Sequence, residues 1–311
     1  MPIRSVAIPI NGIIFVVFAD MKQLLLTTIL LGMSTLSGFA QQQMKEYENE
    51  KDMICTKDIE VRNEVSGNML RGTLYRPNLS AQRIPLIITA HELGSDSQRP
   101  WWVNYAQHWA ERGYAVLTFD FAGGGNRSRS EGKTTDMSVL TEVADLETML
   151  SKARMWDFID TTRIVLIGGS QGGGVASIVA ARHPAEIAAQ VLLYPAFHLP
   201  ANLRELYPDL NNLPQTDGRN GMITVGRKYI LDMYNHDYDK DMQGYAGPVL
   251  IVHGDKDKTV PISVSERAVT VFKNARLYTV KDAGHVFLTE PQQAEFLQQA
   301  DEFLQRITSR L

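Results

Sequence analysis

Ile164-Val165-Leu166-Ile167-Gly168-Gly169-Ser170-Gln171-Gly172-Gly173 is the stretch on which the fold turns. Four consecutive apolar residues bounded by glycine read as a strand buried on both faces. Residues 171–182 then carry a helical pattern, so Ser170 stands in G-x-S-x-G spacing between a strand and a helix. Small residues on either side let the backbone turn tightly enough to lift the Ser170 hydroxyl above the sheet edge. The Gln171 amide, at the start of the helix, points at any negative charge that develops nearby. The pentapeptide alone also arises by accident in turns, so the reading needs an acid and then a histidine further along the chain.

Both are present. His253-Gly254-Asp255-Lys256-Asp257-Lys258-Thr259-Val260-Pro261 follows an apolar run at 249–253, and Ala283-Gly284-His285 follows another at 275–280. The candidates all fall beyond strand carboxyl ends, where open α/β sheets place ligand sites. Upstream, residues 59–65 and 69–76 alternate apolar and polar around Gly67-Asn68, as a hairpin should. Apolar runs at 86–90, 115–121, 164–167 and 188–194 then alternate with helical patterns at 102–112, 139–155 and 171–182, which predicts a mostly parallel sheet covered on both faces. Helices are expected at 263–272 and 291–307. Residues 198–246 break the alternation with a stretch rich in Pro, Asn, Asp and Tyr, too long for an ordinary connection, and read as an inserted lid.

Composition excludes several functions. The chain has 311 residues, 44% hydrophobic and 21% charged, with 31 basic against 35 acidic residues, which leaves no basic footprint for nucleic acid. Its single cysteine, Cys55, permits neither an intramolecular disulfide nor a thiolate-rich metal site. Ser170 stands where a dinucleotide fingerprint needs its second glycine. Gly132-Lys133-Thr134 lacks the glycine of a P-loop, because Arg127 holds that position. No cofactor is implied. Among the other histidines, His183 reads as a helix end, His108 as part of an amphipathic helix, His236 as an insertion residue and His253 as a strand-end hydrogen-bonder. His91 is expected to shape the loop after the first parallel strand.

The N-terminus carries a targeting pattern. Lys22 precedes an apolar stretch at 24–36, then Gly38-Phe39-Ala40 and three glutamines, the order of a secretory signal peptide starting at Met21 and cut after Ala40. The expected organisation is therefore a targeting segment at 1–40 and one catalytic domain at 41–311, exported and free of the membrane once cut. The apolar stretch is also long enough to serve as an uncleaved anchor. Residues 1–20 form a further apolar run that reads as an upstream extension of the frame.

Residues 57–310 resemble the α/β-hydrolase superfamily, and within it the cinnamoyl and feruloyl esterase-like group. The elbow at 168–173, Asp257 to Pro261 and Ala283-Gly284-His285 carry the superfamily likeness. Phe119-Asp120-Phe121-Ala122-Gly123, Glu131-Gly132-Lys133, Asp136-Met137-Ser138-Val139 and Gln171 carry the narrower one. The resemblance implies an α/β-hydrolase fold: a mostly parallel central sheet with helices on both faces, an N-terminal antiparallel hairpin and a lid at about 198–246. It makes Ser170 the nucleophile, His285 the general base, Asp257 rather than Asp255 its orienting acid, and the amides of Gln171 and Leu93 the oxyanion hole. The implied activity is hydrolysis of carboxylic esters, small or saccharide-linked, with feruloyl esters of plant polysaccharide foremost. A peptidase or acetyl esterase with the same triad, or a silent binding protein on the same scaffold, stays open. The sequence departs from the group twice: Glu92 follows His91 where glycine is usual, and Gly123-Gly124-Gly125 replaces Gly-His-Gly. A Glu92 carboxylate turned inward would oppose an oxyanion. Tyr207, Tyr229, Tyr234, Tyr238, Tyr245, Trp101 and Trp102 are expected as aromatic walls for an aryl acid, or as packing for the lid. Asp217, Asp232, Asp237, Asp239 and Asp241 are expected to turn away anionic substrates.

Overall fold

The computed structural model describes residues 6–10, 13–17, 54–78, 83–218, 221 and 223–308. The proposed cleavage site at Ala40 lies outside them. Two compact units are present, 1–53 and 54–311. In the first, Val6–Ile10 pairs antiparallel with Ile13–Val17.

The second unit opens with β1 (Ile54–Arg62) and β2 (Met69–Pro77), an antiparallel hairpin. The strand ends at Arg62, short of the expected Val65, because the Asn63 carboxamide oxygen accepts the amides of Val65 (2.9 Å) and Ser66 (3.3 Å) and turns the chain. Gly67, at φ 75°, completes the turn. There follow β3 (Ile84–Ala90), α1 (Pro100–Ala110), β4 (Ala115–Asp120), α2 (Val139–Ala153), β5 (Ile159–Gly169), α3 (Gln171–Arg182) and β6 (Ala189–Leu193). After the insertion come β7 (Val249–Gly254), α7 (Ile262–Val271), β8 (Ala275–Val280) and α8 (Glu290–Thr308). The sheet order is β1-β2-β4-β3-β5-β6-β7-β8. All pairings from β4 through β8 are parallel, and β2 meets β4 antiparallel. Strand β5 starts five residues before the expected Ile164. After Ile159 come four polar residues, 160–163, beside a break in the β3 register, and they interrupt the apolar signal.

Every residue of β4, β6 and β7 is buried, as the continuous apolar runs require. One face of the sheet packs on α2, α3 and α7, and the other on α1 and α8 through Trp102, Tyr105, Trp109, Phe296 and Phe303. Helix α2 begins in a capping box: Ser138 Oγ accepts the Thr141 amide while Thr141 Oγ1 accepts the Ser138 amide. The chain runs from β3 outward to β4 on one side and then to β5 on the other. The crevice at the carboxyl ends of β3 and β5 is thus the topological switch point where ligands bind such sheets.

The insertion between β6 and β7 forms α4 (Leu199–Leu206), a 3-10 turn (Leu210–Asn212), a two-residue bridge of Thr216–Asp217 with Val225–Gly226, α5 (Arg227–Tyr234) and α6 (Tyr238–Gly244). It is seated on the core. Ile230, Met233, Tyr238, Met242 and Tyr245 are buried in the same cluster as α2 and α3. A Cβ at Gly174 of α3 would meet the Tyr238 hydroxyl at 2.4 Å, so that glycine makes room for α6.

Candidate active site

Ser170 occupies the turn between β5 and α3 at φ 53°, ψ −117°, a region that non-glycine residues enter at a cost. The surroundings enforce it. Ser170 donates its amide to Leu193 O (2.9 Å), and its carbonyl accepts Gly173 and Ala196 amides, both at 3.0 Å. The flanking glycines are sterically required: a Cβ at Gly168 would lie 2.3 Å from Gly172 O, and one at Gly172 would lie 2.2 Å from Ala90 O. The close approach of β3, β5 and α3 is what makes so sharp a turn possible.

The loops after β7 and β8 bring Asp257 and His285 to this serine. His285 Nε2 is 3.0 Å from Ser170 Oγ, and His285 Nδ1 is 2.7 Å from Asp257 Oδ2. The Asp257 side chain is fully buried. Its Oδ1 accepts the amides of Thr259 (2.8 Å) and Val260 (2.9 Å), and its Oδ2 also receives His253 Nε2 at 3.1 Å. Burial alone would raise the Asp257 carboxyl, but hydrogen bonds from His253, His285 and the Val260 amide outweigh it and hold the group well below the usual carboxylate range. A permanent anion on Nδ1 fixes the His285 tautomer that leaves Nε2 free to take a proton from Ser170. Asp255 does something else: its Oδ1 accepts the Asp282 amide at 2.7 Å and ties the two loops together.

His253 is buried, shared between Ser265 Oγ (2.7 Å), Val260 O and Asp257. It props the acid without reaching the serine. His91 donates Nδ1–H to Glu92 O (2.9 Å) and accepts the Phe121 amide on Nε2 (3.1 Å), which shapes the loop after β3. Gly94 donates its amide to Gly124 O (3.0 Å), and a Cβ at Gly125 would sit 2.5 Å from Ser95 O. The triple glycine therefore buttresses this loop where the resembled group has histidine. The Glu92 side chain avoids the feared orientation. Its two oxygens accept Trp102 Nε1–H and Tyr194 O–H, each at 3.1 Å.

Ser170, Gln171, His285 and Leu93 share one cavity of about 470 Å³. Among the described residues no protein acceptor takes the amide of Leu93 or Gln171, which leaves both for a guest. The apolar wall comes from Trp101, Leu199, Tyr229, Val260 and Val286. Of the seven aromatics expected there, only Trp101 and Tyr229 line it. Trp102, Tyr238 and Tyr245 are buried in the core, the Tyr207 hydroxyl goes to Asp217 (2.7 Å), and the Tyr234 hydroxyl goes to Tyr207 O (2.9 Å). None of the insertion aspartates lines the cavity either. Asp232 takes Ser138 and Lys228, Asp239 takes Arg267, Asp241 takes His236, Asp217 takes Tyr207, and Asp237 caps α6. Capping and ion pairing use up charges that the bare sequence leaves unassigned.

Two groups escaped the sequence. Tyr194, at φ 40° directly after β6, lays its ring 4.7 Å from that of His285; its position at a strand end was the available signal. Glu142 is buried in α2, where its Oε2 accepts Gln171 Nε2 at 2.8 Å while Gln171 Oε1 accepts the Tyr229 hydroxyl at 2.6 Å. Burial, reinforced by nearby Asp145, pushes the Glu142 carboxyl well above its ordinary range despite the Gln171 bond. A carboxylate inside the stripe Val139, Val143, Leu146 was the signal there. Among the described residues no cluster of three or more His, Cys, Asp or Glu is placed to hold a metal.

Comparison with known proteins agrees with this fold. A model of the prolyl oligopeptidase family matches residues 101–310. Est1E from Butyrivibrio proteoclasticus, solved with ferulic acid bound, is similar at TM-score 0.74 and 25% identity over 81% of this chain and 99% of that one. Monoacylglycerol lipase of Mycolicibacterium smegmatis is 26% identical over 67% of this chain and 83% of its own. The quorum-quenching protein AidA of Acinetobacter baumannii is 34% identical, but the match spans only 32% of either chain.

Proposed function

The chain belongs to the prolyl oligopeptidase family, and from that premise we propose that this α/β-hydrolase is an exported serine esterase acting through an acyl-enzyme. The observation that carries the reading is the unbroken relay from Ser170 Oγ through His285 to a buried Asp257, opening on the cavity. His285 Nε2 takes the Ser170 proton as Oγ attacks the ester carbonyl carbon, and the carbonyl oxygen becomes an anion facing the Leu93 and Gln171 amides. His285 then gives its proton to the departing alcohol. Water, deprotonated by the same nitrogen, attacks the acyl-enzyme and releases the acid and Ser170.

Hydroxycinnamoyl esters are the proposed substrates. Support comes from the ferulic acid bound by the Est1E neighbour and from Trp101 and Tyr229, flat apolar surfaces with polar tips in the cavity wall. Family membership favours a second reading, hydrolysis of a peptide or acyl-amide bond by the same groups. Export rests on the pattern at 21–40, and the secreted protein should begin at Gln41.

The test is a fluorophosphonate label followed by a substrate panel. Labelling is expected at Ser170 in the native protein and absent in Ser170→Ala. Hydroxycinnamoyl methyl esters should give higher kcat/KM than acetyl esters or peptide anilides. An acetyl preference overturns the feruloyl reading alone, a peptide preference installs the second, and no label at Ser170 removes both.

A further inference from the structure

The cavity wall farthest from hydrogen-bond balance lies in the loop after β3 and the start of α1. Ser95 Oγ, Arg99 Nε and Trp101 Nε1 are all buried there and, among the described residues, have no hydrogen-bond partner. All three residues line the cavity that holds Ser170. Buried polar atoms are almost always partnered, and a cluster of exceptions calls for an explanation. A fourth such atom of this loop, Asp96 Oδ2, faces Arg99 Nε at 3.4 Å and belongs to that ion pair, so Ser95 Oγ and Trp101 Nε1 are the donors left over beside the guanidinium. Ser95 is 5% exposed, so bulk water is a poor substitute partner for it.

Arg99 brings a cation to this wall. Arg99 has one acid nearby, the buried Asp96, with Oδ2 at 3.4 Å from Nε, and Arg127 approaches the same oxygen at 3.5 Å. Arg99 and Arg127 share that carboxylate, and among the described residues Arg99 is the one Lys or Arg that lines the cavity. Among the described residues Glu92 is the only acid that lines the cavity, and its oxygens are engaged by Trp102 and Tyr194. The Arg99 guanidinium lies over the Trp101 ring at 5.7 Å, which restricts it without satisfying its donors.

We propose that Ser95, Arg99 and Trp101 form a subsite for a carboxylate, so that of two otherwise matched esters the one bearing an anionic group away from the scissile bond binds tighter. The inference rests on the esterase reading above, which it narrows. A planar guanidinium with two neighbouring donors matches a carboxylate better than a neutral hydroxyl.

Binding to the Ser170→Ala protein tests the subsite without using the chemistry. Monoethyl succinate and monoethyl adipate are titrated by calorimetry against their neutral diethyl counterparts, so that spacing is varied. At one length or both, the half-ester should bind at least about tenfold tighter, the range for a charge-assisted hydrogen bond. Adding Arg99→Gln should bring the ratio near one, Arg99→Lys should keep part of it, and Trp101→Phe should lower it several-fold. About 0.5 M salt should shrink it as well, and it carries the test if Arg99→Gln does not fold. Equal binding of acid and neutral esters at both lengths, or a preference that survives Arg99→Gln, overturns the subsite. Native protein that binds the half-esters with this preference yet hydrolyses none upholds the subsite and overturns the esterase reading.

Discussion

The loops after β5, β7 and β8 and the insertion after β6 reach the same cavity by opposite means. Each loop presents one side chain of the relay, and the main chain holds two of the three. Leu193 O fixes the Ser170 amide, and the amides of Thr259 and Val260 clasp Asp257. The insertion brings Leu199 and Tyr229 to the wall by burying helix faces, with Ile230, Met233 and Tyr238 in the core. A polar thread runs from its Tyr229 to Gln171, the residue after Ser170, and on to Glu142. Main-chain holding concentrates function in a few adjacent residues, whereas side-chain packing spreads it over many. Chemistry should therefore collapse on substitution in the loops and merely decline on substitution in the thread.

Ser170→Ala is the largest expected effect. Turnover should fall by up to about 10⁶ while substrate binding survives. A variant keeping a tenth of the native rate would move the nucleophile elsewhere and end the contrast. Asp257→Asn comes next, at roughly 10⁴ in kcat, because an amide on Nδ1 favours the wrong imidazole tautomer. Asp255→Asn should stay within a few-fold of native, since its carboxylate holds only the Asp282 amide. If steady-state kinetics reversed that order, the two aspartates would exchange roles.

The same contrast explains what the sequence disclosed. Glycines at 168 and 172 exist because backbone from neighbouring elements lies under 2.5 Å from where a Cβ would stand, and such steric demands leave a readable motif. The mostly parallel sheet was likewise implied by apolar runs buried on two faces, whereas the strand order left no mark in the sequence. The insertion aspartates misled because a charge in a loop shows nothing about its partner. Asp239 with Arg267 and Asp241 with His236 became visible only once distant segments met. Glu92 could not be oriented for the same reason: Trp102 lies ten residues away and Tyr194 a hundred and two, and both were needed to see where its carboxyl turns.

Tyr229→Phe probes the thread itself. It deletes the hydroxyl that donates to Gln171 Oε1 and leaves that buried oxygen without its donor. A lost hydrogen bond of this kind is worth about 1 kcal/mol, so kcat/KM should fall roughly fivefold to tenfold. A loss confined to KM would mean that Tyr229 only seats the substrate. A loss in kcat would mean that the Gln171 carboxamide steers the adjacent oxyanion amide. A fall beyond about a thousandfold would place the insertion among the chemical groups and break the contrast.

The smallest effect on activity, with its readout in stability, is expected at Glu142. Burial raises the carboxyls of Glu142 and Asp145, the latter to about 6 despite hydrogen bonds from the Ala122 amide and Asn63. A carboxyl raised in the folded state keeps a proton that the unfolded chain has already released. Stability must therefore fall as pH climbs from the ordinary carboxylate range through the folded value. For Asp145 that decline runs from about pH 4 to about pH 6, and for Glu142 it extends further. Asp257, held low, acts oppositely, but its contribution is complete above the ordinary range and adds no slope there. Glu142→Gln keeps an acceptor for Gln171 Nε2 and removes the titration. Thermal unfolding should then rise by a few degrees near pH 7.5, scarcely change near pH 4.5, and retain only the Asp145 part of the slope. If native protein and variant show the same slope, Glu142 is ionised in the fold and Gln171 sits on a charge, which would make the thread part of the site's electrostatics.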